Sequence, residues 1–308
     1  TKGTISENPD FKNQYFKHIE RFFNTDNTKK VKIVFDFANA MGIFDKPVFE
    51  KFEEHVEPIY LYDEYDGNFP NHEANPLKTE TLKVLQEKVL NTGADFGVSY
   101  DGDADRVGFV DEKGEIIPMD FVTALIAEEI LKKHPGALIL VDLRSSKAVI
   151  EFIEAAGGKT NLCRVGHSLI KKQMREEKAV FAGELSGHYY FDENYKAELS
   201  SLAVIMIINL INESGKKLSE LAEVLKKYFH SGEINSKVAS RKKVLAQIKQ
   251  KYHDGSINLL DGIRVDYKDW WFNVRPSNTE PVIRLIIEAN TKELMEEKRD
   301  ELLDIIRR

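Results

Sequence analysis

Apolar runs alternate with helix-type spacing along the first hundred residues. Residues 31–37 are almost continuously apolar, as expected of a strand that is covered on both faces. Residues 48–56 and 82–89 place apolar side chains three or four positions apart, which predicts helices. Short apolar stretches at residues 59–62 and 96–100 predict further strands. This β-α-β-α-β order predicts an open sheet of mainly parallel strands.

The same rhythm continues to about residue 230 and then changes. Helices are predicted at 120–131, 199–211 and 219–228, with Asp120 as a cap, and Ser145 or Ser146 is predicted to cap another. Between 257 and 289 the strands follow one another without helices, which predicts an antiparallel sheet. The predicted fold is therefore α/β, with two doubly wound mixed α/β domains (1–112 and 113–230) plus a smaller C-terminal α+β domain with an antiparallel sheet (231–308).

Composition narrows the range of partners. The 308 residues carry a net charge of −7, with 42% hydrophobic and 31% charged residues and no long basic run. We therefore expect neither nucleic acid nor a membrane as a partner. Cys163 is the single cysteine, which fits a reducing, cytoplasmic compartment. Nothing in the sequence indicates an oligomeric state.

Three carboxylates stand at alternate positions between two predicted strands. Asp101, Asp103 and Asp105 can turn to one side of the chain, where a hard cation such as Mg²⁺ would offset their repulsion. A solvated acidic turn is the alternative. A calcium loop of the EF-hand kind is excluded, because Arg106 stands where that loop needs glycine and a strand comes first. The pattern predicts a magnesium site.

A second polar loop, Arg-Pro-Ser-Asn-Thr-Glu-Pro at 275–281, lies between two predicted strands. Arg275 offers a fork that matches two phosphate oxygens. Ser277, Asn278 and Thr279 add side-chain donors near free backbone N–H groups. A plain hairpin turn could use the same residues. The loop predicts either a phosphate site or such a turn.

A third loop, Gly-Glu-Leu-Ser-Gly-His at 183–188, is flanked by apolar strand residues. Glu184, Ser186 and His188 bring a carboxylate, a hydroxyl and an imidazole together, and such groups can hydrogen-bond a vicinal diol. A polar turn with a structural histidine is the alternative. The chemistry of this loop favours a sugar only in combination with the other loops.

His167 and Lys171 lie at the start of a predicted helix that follows Gly166. The free N–H groups of a helix N-terminus attract anions, and the side chains of His167 and Lys171 could add to that attraction. Taken alone this signal is weak. The prediction of an anion site here is strengthened by the polar loops that lie before and after this helix in the chain.

Together, these loops resemble those of the α-D-phosphohexomutase superfamily, specifically its bacterial phosphomannomutase/phosphoglucomutase branch. Asp-Gly-Asp-Ala-Asp-Arg at 101–106 is similar to the metal loop of that family, and residues 183–188 and 275–281 are similar to its sugar and phosphate loops. The resemblance covers essentially the whole chain. It implies four domains around a central cleft, of which three are similar α/β domains and the fourth is smaller.

The resemblance also implies an activity. A phosphoserine would donate its phosphoryl group to mannose or glucose 1-phosphate or 6-phosphate, and a 1,6-bisphosphate would turn over in the cleft. Mg²⁺ would sit on the three aspartates, with Arg106 beside it. By resemblance, the sugar of the substrate would be held by Glu184, Ser186 and His188. Its phosphate would be held by Arg275, Ser277, Asn278 and Thr279. The substrate would be oriented by His167 and Lys171.

Some features depart from the family pattern. The Ser-His-Asn-Pro loop of its first domain is not found, and Ser6-Glu7-Asn8-Pro9 lacks the histidine. We therefore expect the chain to comprise the last three domains, to lack the catalytic serine and to be inactive alone. Ala38-Asn39-Ala40 replaces a glycine-rich turn, and residues 196–199 replace an Asp-rich stretch. These changes leave open the preference between mannose and glucose.

Two other functions compete with a mutase. One is a catalytically silent module that binds a metal and a phosphosugar. The other is a haloacid-dehalogenase-like phosphatase using Asp101 and Asp103, although that chemistry expects Gly-Thr or a similar pair where Ala104 and Asp105 stand.

Overall fold

The first of three sheets in the computed structural model is formed by the N-terminal third of the chain. The structure describes residues 3–26, 29–277 and 281–307. The sheet has the order β2-β1-β3-β4-β5, in which β1, β2 and β3 are parallel and β4 and β5 antiparallel. Its elements are α1 (Phe11–Glu20), β1 (Val31–Asp36), α2 (Lys46–Lys51), β2 (Val56–Leu61), α3 (Lys83–Thr92), β3 (Phe96–Tyr100), β4 (Val107–Asp111) and β5 (Ile116–Ile117). The parallel part was predicted, and the antiparallel edge arises because residues 101–106 form a hairpin.

The second sheet repeats this plan. Its order is β10-β9-β8-β6-β7, again with three parallel strands followed by two antiparallel ones. The elements are α4 (Met119–Lys133), β6 (Leu138–Asp142), α5 (Lys147–Ala155), β7 (Lys159–Cys163), α6 (His167–Glu177), β8 (Phe181–Gly183), β9 (Tyr189–Phe191), β10 (Ala197–Glu198), α7 (Ser200–Ser214) and α8 (Leu218–Glu223). The helix predicted at 219–228 is shorter, because α8 ends at Glu223.

The third sheet is antiparallel throughout its described pairings, as predicted. Strand β16 is central, with β15 on one side and both β11 and β12 on the other. The elements are β11 (Phe229–His230), β12 (Ile234–Lys237), α9 (Arg241–Lys251), β13 (Ser256–Asn258), β14 (Ile263–Asp266), β15 (Trp270–Pro276), β16 (Val282–Ala289) and α10 (Lys292–Ile306). The predicted fold class is confirmed by these three sheets.

The capping predictions have different outcomes. Ser146 caps α5, because its Oγ accepts a hydrogen bond from the N–H of Ala148 at 3.1 Å. Asp120 was wrongly predicted to cap α4. It lies in the first turn of that helix, and its carboxylate accepts from the N–H of Ser146 at 2.8 Å instead. This bond ties the start of α4 to the start of α5.

Helix α7 packs between the first two sheets. All its residues from 200 to 211 are buried, as expected of a helix that is apolar on every side. Near its start, the Ser201 hydroxyl donates to the buried carboxylate of Asp45 and lies 3.4 Å from the hydroxyl of Tyr100. Tyr100 is the last residue of β3. These contacts fix the end of β3, where the acidic loop begins, against the second sheet.

Along the chain, the transitions from one sheet to the next lie close to the predicted domain boundaries. Strand β5 extends the first sheet to Ile117, and β11 starts the third sheet at Phe229. The division at residues 112 and 230 stays a prediction. Among the residues that the structure describes, no helix is both long and apolar enough to cross a membrane. Cys163 is buried.

Candidate functional site

The acidic loop joins β3 to β4 and gathers its three carboxylates. Asp101, Asp103 and Asp105 each place one oxygen so that the three atoms lie within 4.8 Å of one another. Ala104 has a φ of +65°, in the left-handed region that few non-glycine residues adopt, and it reverses the chain between the second and third aspartate. Asp101 is fully buried. A wholly solvated acidic turn is therefore excluded.

Arg106 closes this loop. Its backbone N–H and its Nε donate to the two oxygens of Asp101 at 3.1 and 2.7 Å. Burial raises the pKa of Asp101, although Arg106 opposes that effect. Arg106 offsets one of the three carboxylate charges, and His188, which lies 3.3 Å from Asp105 and is shared with Glu184, offsets part of another. The donor set is oxygen only, which suits a hard divalent cation.

His188 lies between the acidic loop and the third loop of the sequence. Its Nε2 is 3.3 Å from Oδ1 of Asp105, and its Nδ1 is 3.1 Å from Oε2 of Glu184 and 2.7 Å from Oγ of Ser186. Burial alone would lower the pKa of His188, but the two carboxylates raise it to about 9. Burial alone would raise the pKa of Glu184, but His188 and Arg144 lower it to about 2. The imidazole can therefore donate while Glu184 accepts.

Glu184 is oriented by two further donors. The hydroxyl of Tyr190 donates to its Oε2 at 3.0 Å, and the N–H of Gly166 donates to its Oε1 at 3.2 Å. The loop also touches the neighbouring hairpin, because the N–H of Val107 donates to the carbonyl of Gly187 at 3.1 Å. Tyr190 is not among the functional residues that the sequence motifs predict. Its position on β9, two residues after His188, puts it on the same face of the strand and could have indicated it.

His167 and Lys171 start helix α6, as predicted, and share one carboxylate. Lys171 Nζ donates to Oε2 of Glu198 at 2.8 Å, and His167 Nδ1 lies 3.5 Å from Oε1. The side chain of Glu198 is 9% exposed, whereas that of His167 is 64% exposed. Glu198 was missed as a functional candidate, although it lies in the stretch at 196–199 that departs from the family pattern.

Arg275 lies at the end of β15 and its side chain is buried. Its Nη2 donates to Oε2 of Glu233 at 2.9 Å, and Arg284 donates to the other oxygen of Glu233 at 2.8 Å. The carbonyl of Ser277 accepts from Arg241 at 3.0 Å. The predicted ligands Asn278 and Thr279 lie outside the described residues.

Arg144 connects the second and third sheets. It follows β6, and its Nε donates to both oxygens of Asp142 at 3.0 Å. Its Nη2 lies 3.7 Å from Glu184, and its Nη1 lies 3.5 Å from Glu233. Burial would lower the pKa of Arg144, but Asp142 and the other carboxylates raise it. Arg144 is not among the residues that the sequence motifs predict. Its place just beyond the carboxyl end of a parallel strand, where ligands bind in open α/β sheets, was the available signal.

The loop at residues 183–188 and the loop that begins at Arg275 border one cleft of 570 Å³. Its lining residues come from all three sheet regions and are Leu77, Arg144, Val165, Glu184, Leu185, Ser186, Glu233, Arg275, Ser277 and Arg284. Asp103 and Asp105 border a neighbouring cavity of 270 Å³, together with Glu198. His188 contacts Asp105 of one cavity and Glu184 of the other. The structure thus brings the predicted loops together, with Arg144, Glu198 and Glu233 as additions.

Family models match almost the whole chain, in order. Models described as "Phosphoglucomutase/phosphomannomutase, alpha/beta/alpha domain II" and "domain III" match residues 13–114 and 118–228. The model of the C-terminal domain of the same family matches residues 233–305.

Individual relatives agree with these models. A "Phosphomannomutase" from Methanocaldococcus jannaschii is 42% identical over 299 residues, covering 96% of this chain and 66% of the relative. "Phosphohexose mutases" from Xanthomonas campestris is 36% identical over 303 residues, covering 96% of this chain and 67% of the relative. The chain thus spans about two thirds of the length of the curated relatives it matches.

A solved structure has the same fold. The phosphoglucomutase/phosphomannomutase family protein from Burkholderia thailandensis superposes with a TM-score of 0.85 at 30% identity. The match covers 96% of this chain and 63% of that one. The chain therefore belongs to the phosphoglucomutase/phosphomannomutase family of the α-D-phosphohexomutase superfamily, as its three motif loops, its three sheets and these matches show.

Proposed function

We propose that this chain is the metal-, sugar- and phosphate-binding part of a phosphohexomutase that interconverts hexose 1-phosphates and hexose 6-phosphates. The observation that carries the proposal is a continuous series of contacts across the three sheet regions. It runs from Asp105 through His188 to Glu184, and on through Arg144 to Glu233 and its arginine partners. A phosphosugar requires groups for the phosphate, the hydroxyls and the reacting centre, and the residues of this series supply groups of each kind.

The cleft residues divide by chemistry. Arg275 and Ser277 would hold the non-reacting phosphate, because a guanidinium can donate two charge-assisted hydrogen bonds to phosphate oxygens. Glu184, Ser186 and His188 would hold the sugar hydroxyls. Glu184 is an acceptor, and His188 is a donor when it carries both protons. Lys171 and His167 would orient the substrate from α6, with Glu198 holding both side chains in place.

The acidic loop fits a bound cation. Its oxygens converge, and Arg106 together with the shared His188 leaves part of the negative charge of the three carboxylates uncompensated. We propose Mg²⁺ on Asp101, Asp103 and Asp105. When bound, the ion would offset negative charge on a phosphoryl group in transfer. The phosphoryl donor would be a phosphoserine supplied from outside these 308 residues.

The phosphatase alternative requires a free aspartate nucleophile. Both oxygens of Asp101 accept hydrogen bonds from Arg106, and the side chain is fully buried. A carboxylate engaged in this way is poorly placed to attack phosphorus. The geometry therefore favours a metal-ligand role for Asp101.

The experiment compares three ligands by calorimetry with the 308-residue chain: glucose 1-phosphate, mannose 1-phosphate and inorganic phosphate. Hydrogen bonds to sugar hydroxyls contribute about 0.5–1.5 kcal/mol each, so two of them should tighten a hexose phosphate by about tenfold over inorganic phosphate. A ³¹P NMR assay of the same chain should show no conversion of mannose 1-phosphate. Equal affinity for all three ligands would contradict the sugar site, and rapid turnover would contradict the external phosphoserine.

A further inference from the structure

Three guanidinium groups converge on a single carboxylate in the cleft. Glu233 accepts from Arg275 at 2.9 Å and from Arg284 at 2.8 Å, and Arg144 lies 3.5 Å away. Burial alone would raise the pKa of Glu233, but the three arginines lower it below its ordinary value. Glu233 therefore occupies, as an anion, the cations that a substrate phosphate would need.

Charge balance shows why this arrangement must change on binding. Among the residues that the structure describes, the three arginines face three carboxylates, Asp142, Glu184 and Glu233, so their positive charge is already offset before a ligand binds. A phosphate monoester adds about 1.5 to 2 negative charges at neutral pH. Either that charge stays uncompensated in a partly buried cleft, or one of the three carboxylates withdraws.

Glu233 is the carboxylate best able to withdraw. Its side chain is 22% exposed and lines the cleft, whereas those of Asp142 and Glu184 are 0% and 4% exposed. Asp142 also accepts hydrogen bonds from the N–H groups of Arg144 and Leu185, and Glu184 accepts from Gly166 and Tyr190. The other two acids are thus tied to their own loops.

The backbone beside Glu233 is held in place, so the withdrawal is a side-chain motion. The N–H of Ser231 donates to the carbonyl of Ile287 at 2.9 Å, and the N–H of Ile287 donates to Ser231 Oγ at 3.1 Å. The N–H of Gly232 donates to Nδ1 of His230 at 3.0 Å. These bonds anchor the segment between β11 and β12 up to the residue before Glu233.

We propose that Glu233 is an internal competitor for the phosphate site: it holds Arg144, Arg275 and Arg284 together in the free protein and is displaced from them by the phosphate of the substrate. The inference rests on the proposed function for the identity of that phosphate. A competing Glu233 would set the affinity of the site for phosphate. It would favour doubly charged phosphates, because these can outcompete a single carboxylate.

The test measures binding of inorganic phosphate and glucose 1-phosphate by calorimetry to three proteins: the parent chain, Glu233→Gln and Glu223→Gln. Glutamine keeps the shape and the acceptor oxygen of Glu233 but removes its charge. Glu233→Gln should bind inorganic phosphate at least about fivefold more tightly, a change of about 1 kcal/mol. Glu223 is the matched control, because it is exposed on α8 and pairs only with Lys226 among its described contacts.

Unchanged or weaker phosphate binding in Glu233→Gln would overturn the inference. Tighter phosphate binding, with glucose 1-phosphate no better than phosphate in any variant, would support the role of Glu233 and overturn the sugar site instead. If Glu233→Gln does not fold, Glu233→Asp retains the charge and shortens the reach by one methylene. Phosphate should then raise the melting temperature of Glu233→Asp more than that of the parent, and an equal rise would contradict the proposal.

Discussion

His188 Nε2 lies 3.3 Å from Oδ1 of Asp105, so the sugar loop of one sheet touches the acidic loop of another. The contact is supported by a backbone bond from Val107 to Gly187. Because the imidazole also contacts Glu184, a change at the acidic loop reaches the carboxylate of Glu184, which we propose binds the sugar, through one side chain. The metal site and the sugar site are therefore expected to act as one unit.

The metal site is tested first by Asp103→Ala. This side chain is exposed, so its removal should not disturb folding, but it removes one of three converging ligands. We expect Mg²⁺ affinity to fall by at least about tenfold, because Mg²⁺ depends on a few well-placed carboxylates. Calorimetry with Mg²⁺ measures the effect, and Asp300→Ala on the exposed face of α10 is the control. Equal Mg²⁺ uptake by Asp103→Ala and the parent would show that the loop is not the site.

Arg275→Ala tests the phosphate site. A charge-assisted hydrogen bond contributes about 1.5–3 kcal/mol, so losing Arg275 should weaken glucose 1-phosphate binding by about tenfold to a hundredfold. NMR titration gives both the affinity and the residues whose signals shift. Arg299→Ala, in an exposed pair with Asp300, should bind like the parent. Shifts that cluster away from residues 183–188 and 275–277 would place the site elsewhere.

Gly183→Ala should destabilise the loop that carries Glu184. An added Cβ would lie 2.0 Å from Oγ1 of Thr123 on α4, so strand β8 or helix α4 would have to move. Overpacking of this kind costs about 1–3 kcal/mol of the free energy of unfolding. Urea unfolding measures it. Gly67→Ala is the control, since nothing lies within 4 Å of the Cβ it would add. Equal stability of the two variants would contradict the tight packing of β8.

His72 and Asp36 should make stability depend on pH. His72 Nε2 lies 2.9 Å from the buried Asp36, and this hydrogen bond raises the pKa of His72 above 6.5, although burial opposes it. A raised folded-state pKa means that the stabilisation is fully present below pH 6.5 and is lost as the pH rises through the folded value. The stability advantage of the parent over His72→Asn should therefore shrink as the pH rises above about 6.5. A constant difference in urea unfolding over that rise in pH would refute the linkage.

The sequence by itself determined the local features. Apolar runs and helix spacing predicted the order of strands and helices, because burial on one or both faces dictates where apolar side chains fall. The acidic loop and the Glu184 loop were found because several chemically related groups lie within six residues. A helix beginning at His167 was indicated by Gly166 and the polar residues after it.

Only the tertiary structure decided which distant residues share a site. Glu233 contacts Arg144, Arg275 and Arg284 across 42 to 89 positions of sequence, and no spacing rule connects them. Asp105 and His188 meet where the N–H of Val107 donates to the carbonyl of Gly187 and so joins two loops that are far apart in sequence. The local sequence pattern reflects the surroundings of each helix or strand. The pairing of charges between different elements depends instead on how the sheets pack. That packing made Glu233 part of the site, although its own sequence neighbourhood did not single it out.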